Sequence, residues 1–154
     1  MRFHQVKELV AWAAEYHRNL AEQYRQLAAS DVSDRVRMAL DYLAEHERKM
    51  QTELSEYLEE AREHRPVLET WFDDPSDFPH APTLDRLTQR VSCDSVQDVL
   101  STALTMHRTL QDLYAHRVER ATAEAEREFF ASLAQGHEAE VRRIARDMQR
   151  LEDY

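Results

Sequence analysis

The stretch His107–Tyr114, which reads His-Arg-Thr-Leu-Gln-Asp-Leu-Tyr, has a counterpart 90 residues earlier in His17–Tyr24, which reads His-Arg-Asn-Leu-Ala-Glu-Gln-Tyr. Both copies follow the pattern His-Arg-x-Leu-x-acid-x-Tyr. The same offset, without a gap, gives further identities between Val6 and Val96, Ala13 and Ala103, Arg37 and Arg127, and Leu43-Ala44 and Leu133-Ala134. Because the agreement is densest around one histidine in each copy, the sequence predicts a duplicated helical hairpin. Each copy is expected to place a polar residue in the middle of an apolar seam.

The composition indicates an all-α protein. The chain has 154 residues with one glycine and four prolines, and 42% of the residues are hydrophobic and 32% are charged. Strands and tight turns require more glycine than this, and a chain of this length forms one domain with a sizeable core. We therefore expect residues 1–154 to fold as a single helical domain.

The charge and the cysteine content limit the kinds of partner. The formal net charge is -10, which repels a nucleic-acid backbone and an anionic membrane surface. No apolar run approaches the roughly 18 residues of a membrane span, and the N-terminal residues lack the apolar segment of a signal peptide. Cys93 is the only cysteine, so no internal disulfide requires an oxidising compartment. We expect a cytoplasmic protein without nucleic-acid or membrane partners.

The first hairpin is predicted over residues 1–64. Apolar residues recur every three or four positions in two segments, about residues 2–29 and 34–64, and this spacing is typical of bundle helices. The intervening stretch Ser30–Asp34 contains helix-capping residues and is short enough to make the two helices antiparallel. The second helix is expected to end near His64, because Pro66 disfavours helical geometry in the residue before it.

A long crossover is predicted at residues 65–92, which contain all four prolines. A four-helix bundle with one long connection accounts for such a segment, because the chain must travel the length of the bundle. Trp71 and Phe72 are expected to hold the crossover against the helices, and residues 84–90 to form a short helical piece. The second hairpin then covers residues 93–154, with Asp94 as the N-cap of the third helix and the fourth helix beginning within residues 121–126.

Each predicted seam is apolar except near its middle. The polar groups found there are His17, Glu47, His107, His137 and Glu140. The four residues named first lie fourteen to sixteen positions from the nearest predicted turn, or roughly 21–24 Å at about 1.5 Å per residue, and Glu140 is one helical turn beyond His137. We therefore expect all five to converge in one interior layer. A buried carboxylate without a partner is costly, so such a layer indicates either a metal ion or a metal-free network of hydrogen bonds.

The layout resembles the ferritin-like superfamily, in particular rubrerythrin and bacterioferritin. The stretches Leu43–Glu47 and Leu133–His137 are similar to the Leu-Ala-x-x-Glu segment that precedes metal ligands in that family. The resemblance covers all four predicted helices. It implies a carboxylate ligand on helices 1 and 3 and a Glu-x-x-His pair on helices 2 and 4, around two irons.

The ligand types of this chain depart from that pattern. Histidine replaces the glutamate on helices 1 and 3, Met50 replaces the histidine on helix 2, and helix 4 reverses the pair to His137-x-x-Glu140. Only Glu47 matches the family. The resemblance therefore implies a site for one ion, or for an unusual pair, with iron as the first choice and zinc or manganese as alternatives. Such a site would be redox-active if it held iron.

A different class of function stays open, in which the chain is a metal-free bundle acting as an oligomeric structural or interaction protein. In that case the polar layer fixes the register of the helices. Long helices expose two flanks, and a homodimer is expected in either case. Gly136, the only glycine, is interpreted either as a site of close helix packing or as a distortion that orients His137. The remaining histidines are expected to be solvated: His4, His46, His64, His80 and His116.

Overall fold

The computed structural model describes residues 3–59, 61–72 and 93–153, with residues 61–64 given as backbone only. These residues form five helices: α1 Val6–Ala28, α2 Asp34–Glu59, α3 Ala61–Leu68, α4 Val96–Arg120 and α5 Glu124–Glu152. Within the described residues the only β-type pairing is an isolated bridge between Gln5 and Trp71. The prediction of an all-α protein is confirmed. No helix among the described residues is long and apolar enough to cross a membrane.

Side chains near the N-termini of three long helices, α1, α2 and α4, satisfy backbone N–H groups that have no partner within the helix. Before α1, the Glu8 carboxylate accepts the N–H of Gln5 at 3.1 Å. Before α2, Ser33 Oγ accepts the N–H of Val36 at 3.2 Å. The cap of α4 is Ser95, whose Oγ accepts an N–H from the first turn at 3.1 Å. The cap therefore lies one residue after the predicted Asp94.

In each of the two hairpins, α1 with α2 and α4 with α5, an arginine in the second helix bonds to the segment that joins the helices. The two arginines occupy matching positions. Arg37 forms an ion pair with Asp34 at 3.2 Å, and Arg127 forms one with Glu124 at 3.0 Å. Each guanidinium also donates to a backbone carbonyl before its helix at 2.9 Å. The two pairs are 90 residues apart, which is the offset found in the sequence.

One hydrophobic core runs between the helices. In α1 and α4 the residues of the predicted apolar seam are buried, namely Val6, Val10, Ala13, Leu20, Tyr24, Leu27, Val96, Leu100, Ala103, Leu110 and Tyr114. In α2 and α5 the seam is less complete, because Tyr57, Leu133 and Glu140 are only partly buried. These three residues face a cavity between the two helices.

The contacts of Phe72 show which helix ends lie together. Its N–H donates to the carbonyl of His4, just before α1, at 2.8 Å. Its ring lies 6.4 Å from that of Phe130 near the start of α5, and the Arg117 guanidinium near the end of α4 lies 4.1 Å above it. The start of α1, the end of α4 and the start of α5 therefore share one end of the bundle.

The other end of the bundle is marked by a contact between the last turn of α5 and the first turn of α2. Arg35 donates to the carbonyl of Glu152 at 3.5 Å. Helices α1 and α5 thus run in one direction, and α2 and α4 run in the other. Phe72 and Val96, which flank most of the predicted crossover, lie at opposite ends of the bundle.

The end of the first hairpin differs from the prediction. The described part of α2 extends to Glu59, and α3, which is described from Ala61 onward, continues through Pro66 to Leu68. Proline removes one N–H donor, but its fixed φ is compatible with a helix. The helix ends where Thr70 Oγ1 donates to the carbonyl of Pro66 at 2.9 Å. The non-helical part of the crossover therefore starts at residue 69 and not at residue 65.

The two aromatic residues expected to hold the crossover behave differently. Phe72 is buried, as predicted, whereas the Trp71 side chain is 66% exposed. Trp71 contributes through its backbone, which pairs with Gln5. The helical piece expected at residues 84–90 and the rest of residues 73–92 lie outside the described residues, as does His80.

Candidate functional site

Four of the five predicted layer residues meet in the core, and each comes from a different long helix. The exposed fractions are 2% for His17 of α1, 0% for Glu47 of α2, 1% for His107 of α4 and 7% for His137 of α5. The polar residue of each seam is thus brought to the same depth in the bundle. The predicted convergence is confirmed for these four.

Glu47 is the centre of this layer because each of its carboxylate oxygens contacts an imidazole. Oε2 lies 2.5 Å from Nδ1 of His17 in a hydrogen bond. Oε1 lies 2.5 Å from Nε2 of His107. The second contact lacks the geometry of a hydrogen bond, and Glu47 Oε1 and His107 Nε2 have no other partner in the described part of the chain. Two buried polar atoms are therefore in close contact without a bond that satisfies them.

The hydrogen bonds of His137 within the layer are to His107 alone. Its Nε2 donates to the backbone carbonyl of His107 at 2.9 Å and lies 3.3 Å from Nδ1 of the same residue. This assignment places the His137 proton on Nε2, which leaves Nδ1 as an acceptor. That acceptor has no hydrogen-bond partner among the residues described.

Burial and neighbouring groups set the charge of two members of the layer. Burial alone would raise the pKa of the Glu47 carboxyl, but the charges of His107 and His17, with the hydrogen bond to His17, outweigh it and hold this pKa well below its usual range. Burial, with the adjacent His107, lowers the pKa of His137 from 6.5 to about 3. At neutral pH the layer therefore contains an ionised Glu47 and a neutral His137.

Glu140, the fifth predicted residue, lies outside the layer. Its Oε2 is 3.2 Å from Nδ1 of His46, and its Oε1 is 3.2 Å from Arg143 and 3.9 Å from Lys49. The side chain is 16% exposed. Three residues along a helix correspond to about 300° of rotation, so Glu140 is turned by about 60° from His137 towards the gap between α5 and α2.

His46, which the sequence predicts to be solvated, is instead mostly buried. Its side chain is 13% exposed, and its ring lies 4.7 Å from that of Tyr42. Glu140 therefore has a histidine partner, but this partner belongs to a separate cluster at the edge of the bundle. His4 is exposed and His116 is partly exposed, while the side chain of His64 is not among those described.

A cavity of about 340 Å³ lies beside the layer and opens partly to the surface between α2 and α5. It is lined by His17, Met50, Glu53, Leu54, Glu56, Tyr57, Tyr114, Ser132, Leu133, Gly136, His137 and Glu140. Two histidines of the layer therefore form part of its wall. This cavity was not predicted: the mixture of acidic and apolar residues around the end of the α2 seam indicates an amphipathic helix but does not locate a cavity.

Gly136 faces this cavity. A Cβ atom built on it would have no neighbour within 4 Å, and its φ is not positive. Of the two interpretations of Gly136, close helix packing is therefore wrong, and a distortion that orients His137 stays a prediction. The glycine leaves open space beside His137.

The side chains of the layer combine imidazole nitrogens with a carboxylate, which are ligand types for zinc, iron and manganese. Within the described ranges, no group of three or more His, Cys, Asp and Glu side chains is arranged as a metal site. Comparison of the chain with protein-family models, with curated proteins and with solved structures gives no match.

Proposed function

We propose that the protein is a ferritin-like four-helix bundle that binds one metal ion in its central layer. The helix directions support the fold assignment, because a bundle of two hairpins with a long crossover has its second and third long helices parallel, as α2 and α4 are here. The matching ion pairs at Arg37 and Arg127 support an internal duplication.

The observation that carries the metal proposal is the contact between Glu47 Oε1 and His107 Nε2. Both atoms are buried and 2.5 Å apart, yet they form no hydrogen bond. Leaving buried polar atoms unsatisfied costs about 1–3 kcal/mol each. A cation bound by both groups removes that cost, because a carboxylate oxygen and a neutral imidazole nitrogen are both electron-pair donors.

His17, Glu47 and His107 are the residues that would hold the ion, since all three are in direct contact. His137 hydrogen-bonds only to His107, its ring lies 6.2 Å from that of His17, and it lines the cavity, so it is the fourth group beside the ion. One carboxylate provides too little negative charge for a bridged pair of irons, which favours a single ion. We propose iron, which would supply Lewis acidity and one-electron chemistry when bound. The apolar core surrounds the layer except on the side of the cavity, where His17 and His137 form part of the wall.

The test compares two carboxylates that each contact a histidine. Wild type, Glu47→Gln and Glu140→Gln are purified without a His tag, treated with chelator, and titrated separately with Fe(II), Zn(II) and Mn(II). We expect wild type and Glu140→Gln to bind one ion per chain and to melt at a higher temperature when loaded, because the ligand binds only the folded state. Glu47→Gln should bind weakly and show no such rise.

A second function class is favoured by the contacts inside the layer. Each of the four side chains already touches another, and the negative charge of Glu47 is shared by two imidazoles. In this case the layer is metal-free and fixes the helix register of a structural or interaction protein, which we expect to be a homodimer. It takes precedence if no ion is bound and the melting temperature does not change with chelator. Sedimentation that gives only monomer would count against the dimer.

A further inference from the structure

We propose that the cavity between α2 and α5 is a binding site for a small organic cation, namely an alkylammonium compound with a hydrogen-bond donor at its far end. This proposal goes beyond metal binding and does not require it. The cavity volume of about 340 Å³ is at the lower end of the range for ligand sites, which is roughly 300–1,000 Å³. A ligand of that size would lie between the surface and the buried layer.

The negative charge of the cavity wall favours a positively charged ligand. Three carboxylates line the cavity, from Glu53, Glu56 and Glu140, and no lysine or arginine among the described side chains does. Glu140 is already paired with His46 and with basic residues. Glu53 and Glu56 make no ion pair with any described residue. The overall charge of -10 adds a field that attracts cations.

The middle of the cavity is suited to a short apolar body. Met50, Leu54 and Leu133 contribute aliphatic surface, and Tyr57 and Tyr114 contribute aromatic rings. An ammonium group near an aromatic ring gains further electrostatic attraction from the face of the ring. An inorganic cation would leave this apolar surface unused, so the wall favours an organic cation.

The inner end of the cavity is a buried hydrogen-bond acceptor. His137 is only 7% exposed, and its Nδ1 has no partner among the residues described, while its Nε2–H is held by the carbonyl of His107. Gly136 leaves the space beside it open. A hydroxyl or amine at the far end of the ligand would donate to Nδ1.

The experiment measures binding by calorimetry with chelator present, so that the result is independent of any metal. The probe is 4-aminobutan-1-ol, and the controls are butan-1-ol, which lacks the charge, and butanoate, which reverses it. We expect wild type to bind the amino alcohol about tenfold more tightly than either control. Equal binding of butanoate, or no binding of the amino alcohol at millimolar concentration, would overturn the proposal.

Two sets of variants locate the site. The double variant Glu53→Gln/Glu56→Gln should weaken binding of 4-aminobutan-1-ol about tenfold, while Asp41→Asn/Glu45→Gln, which removes two exposed charges from the same helix outside the cavity, should not. Gly136→Leu should fill the cavity and abolish binding, and Gly136→Ala should retain it; circular dichroism checks that both variants are folded. Wild-type affinity in the Glu53→Gln/Glu56→Gln variant would show that the site is wrong. Because no metal is present in this assay, a failure here leaves the metal proposal unaffected, and a failed metal titration leaves this one unaffected.

Discussion

His137 makes the stability of the protein depend on pH, because the pKa of its imidazole is lower in the folded protein than in the unfolded chain. The unfolded state takes up a proton near pH 6.5, whereas the folded state does so near pH 3. Between these values the unfolded state binds more protons, so stability increases with pH. The lowered pKa of Glu47 acts in the same direction below about pH 4.5. Acid therefore destabilises the metal-free protein through both groups.

We expect the free energy of unfolding of the metal-free protein to fall as the pH drops from 6.5 to 4.5, with His137 contributing at most about 1.4 kcal/mol per pH unit. The variant His137→Gln, which keeps a donor for the His107 carbonyl, should lose that contribution to the slope. Urea unfolding at several pH values measures it. The exposed His4 provides the control, and a slope equally reduced by His4→Gln would contradict the assignment.

Gly136 should be a site where stability can be gained. It lies inside α5, and a Cβ atom there would meet nothing within 4 Å. Glycine in a helix interior costs about 1 kcal/mol relative to alanine. Gly136→Ala should therefore stabilise the protein by about that amount and raise the melting temperature by about 2–4 °C. The reverse change at an exposed position of the same helix, Ala139→Gly, should lower the melting temperature similarly, and a destabilised Gly136→Ala would show that the open space is absent.

At the scale of the helices, apolar periodicity predicted where α1 and α4 would be buried, because every third or fourth residue of a core helix faces its neighbours. It did not predict that Glu140 lies outside the layer. A residue three positions after His137 can face the core or be turned towards the gap between α5 and α2, and both are compatible with the periodicity. The predicted helix end before Pro66 was wrong. The unfavourable effect of a proline on helical geometry in the preceding residue is weaker than the helical hydrogen bonds that extend α3 past it. The cavity could not be predicted, because it depends on the separation between α2 and α5 and not on either helix alone.

The N-cap of α4 offers a direct test of an element boundary. Ser95 Oγ accepts the N–H of Asp98 at 3.1 Å. Ser95→Ala removes that bond and should lower the free energy of unfolding by about 1 kcal/mol. Ser101→Ala, at an exposed position inside the same helix, should have little effect or stabilise slightly, because alanine is the better helix former. Equal losses in the two variants would show that the cap is elsewhere.

A buried ion pair connects α4 to the start of α5. Arg117 and Glu126 are each 3% exposed, and Nη2 of Arg117 lies 2.5 Å from Oε1 of Glu126. Arg117→Leu leaves the carboxylate buried without this cation and also removes the contact with Phe72, so we expect a loss of about 3–5 kcal/mol in unfolding experiments. The exposed pair of Arg142 and Glu138 is the control, and Arg142→Ala should change stability by less than about 1 kcal/mol.

At the scale of the whole molecule, the layer joins the two hairpins, because Glu47 of the first contacts His107 of the second as well as His17 of its own. A substitution in this layer therefore changes contacts made by all four long helices. The cavity, in contrast, involves mainly α2 and α5. The proposed metal binding and the proposed amine binding should for this reason respond to different variants, the first to Glu47→Gln and the second to Gly136→Leu.

The helix directions also separate the first and last described residues. Phe3 lies beside the start of α1, and Asp153 follows the end of α5 at the opposite end, where Glu152 contacts Arg35. Helix α5 has 29 residues and is about 43 Å long. A circular permutant would therefore need a linker of at least about 12 residues to join the termini. Two copies fused in tandem through a shorter linker would be stacked end to end. Repeated fusion of this kind would build a linear fibre.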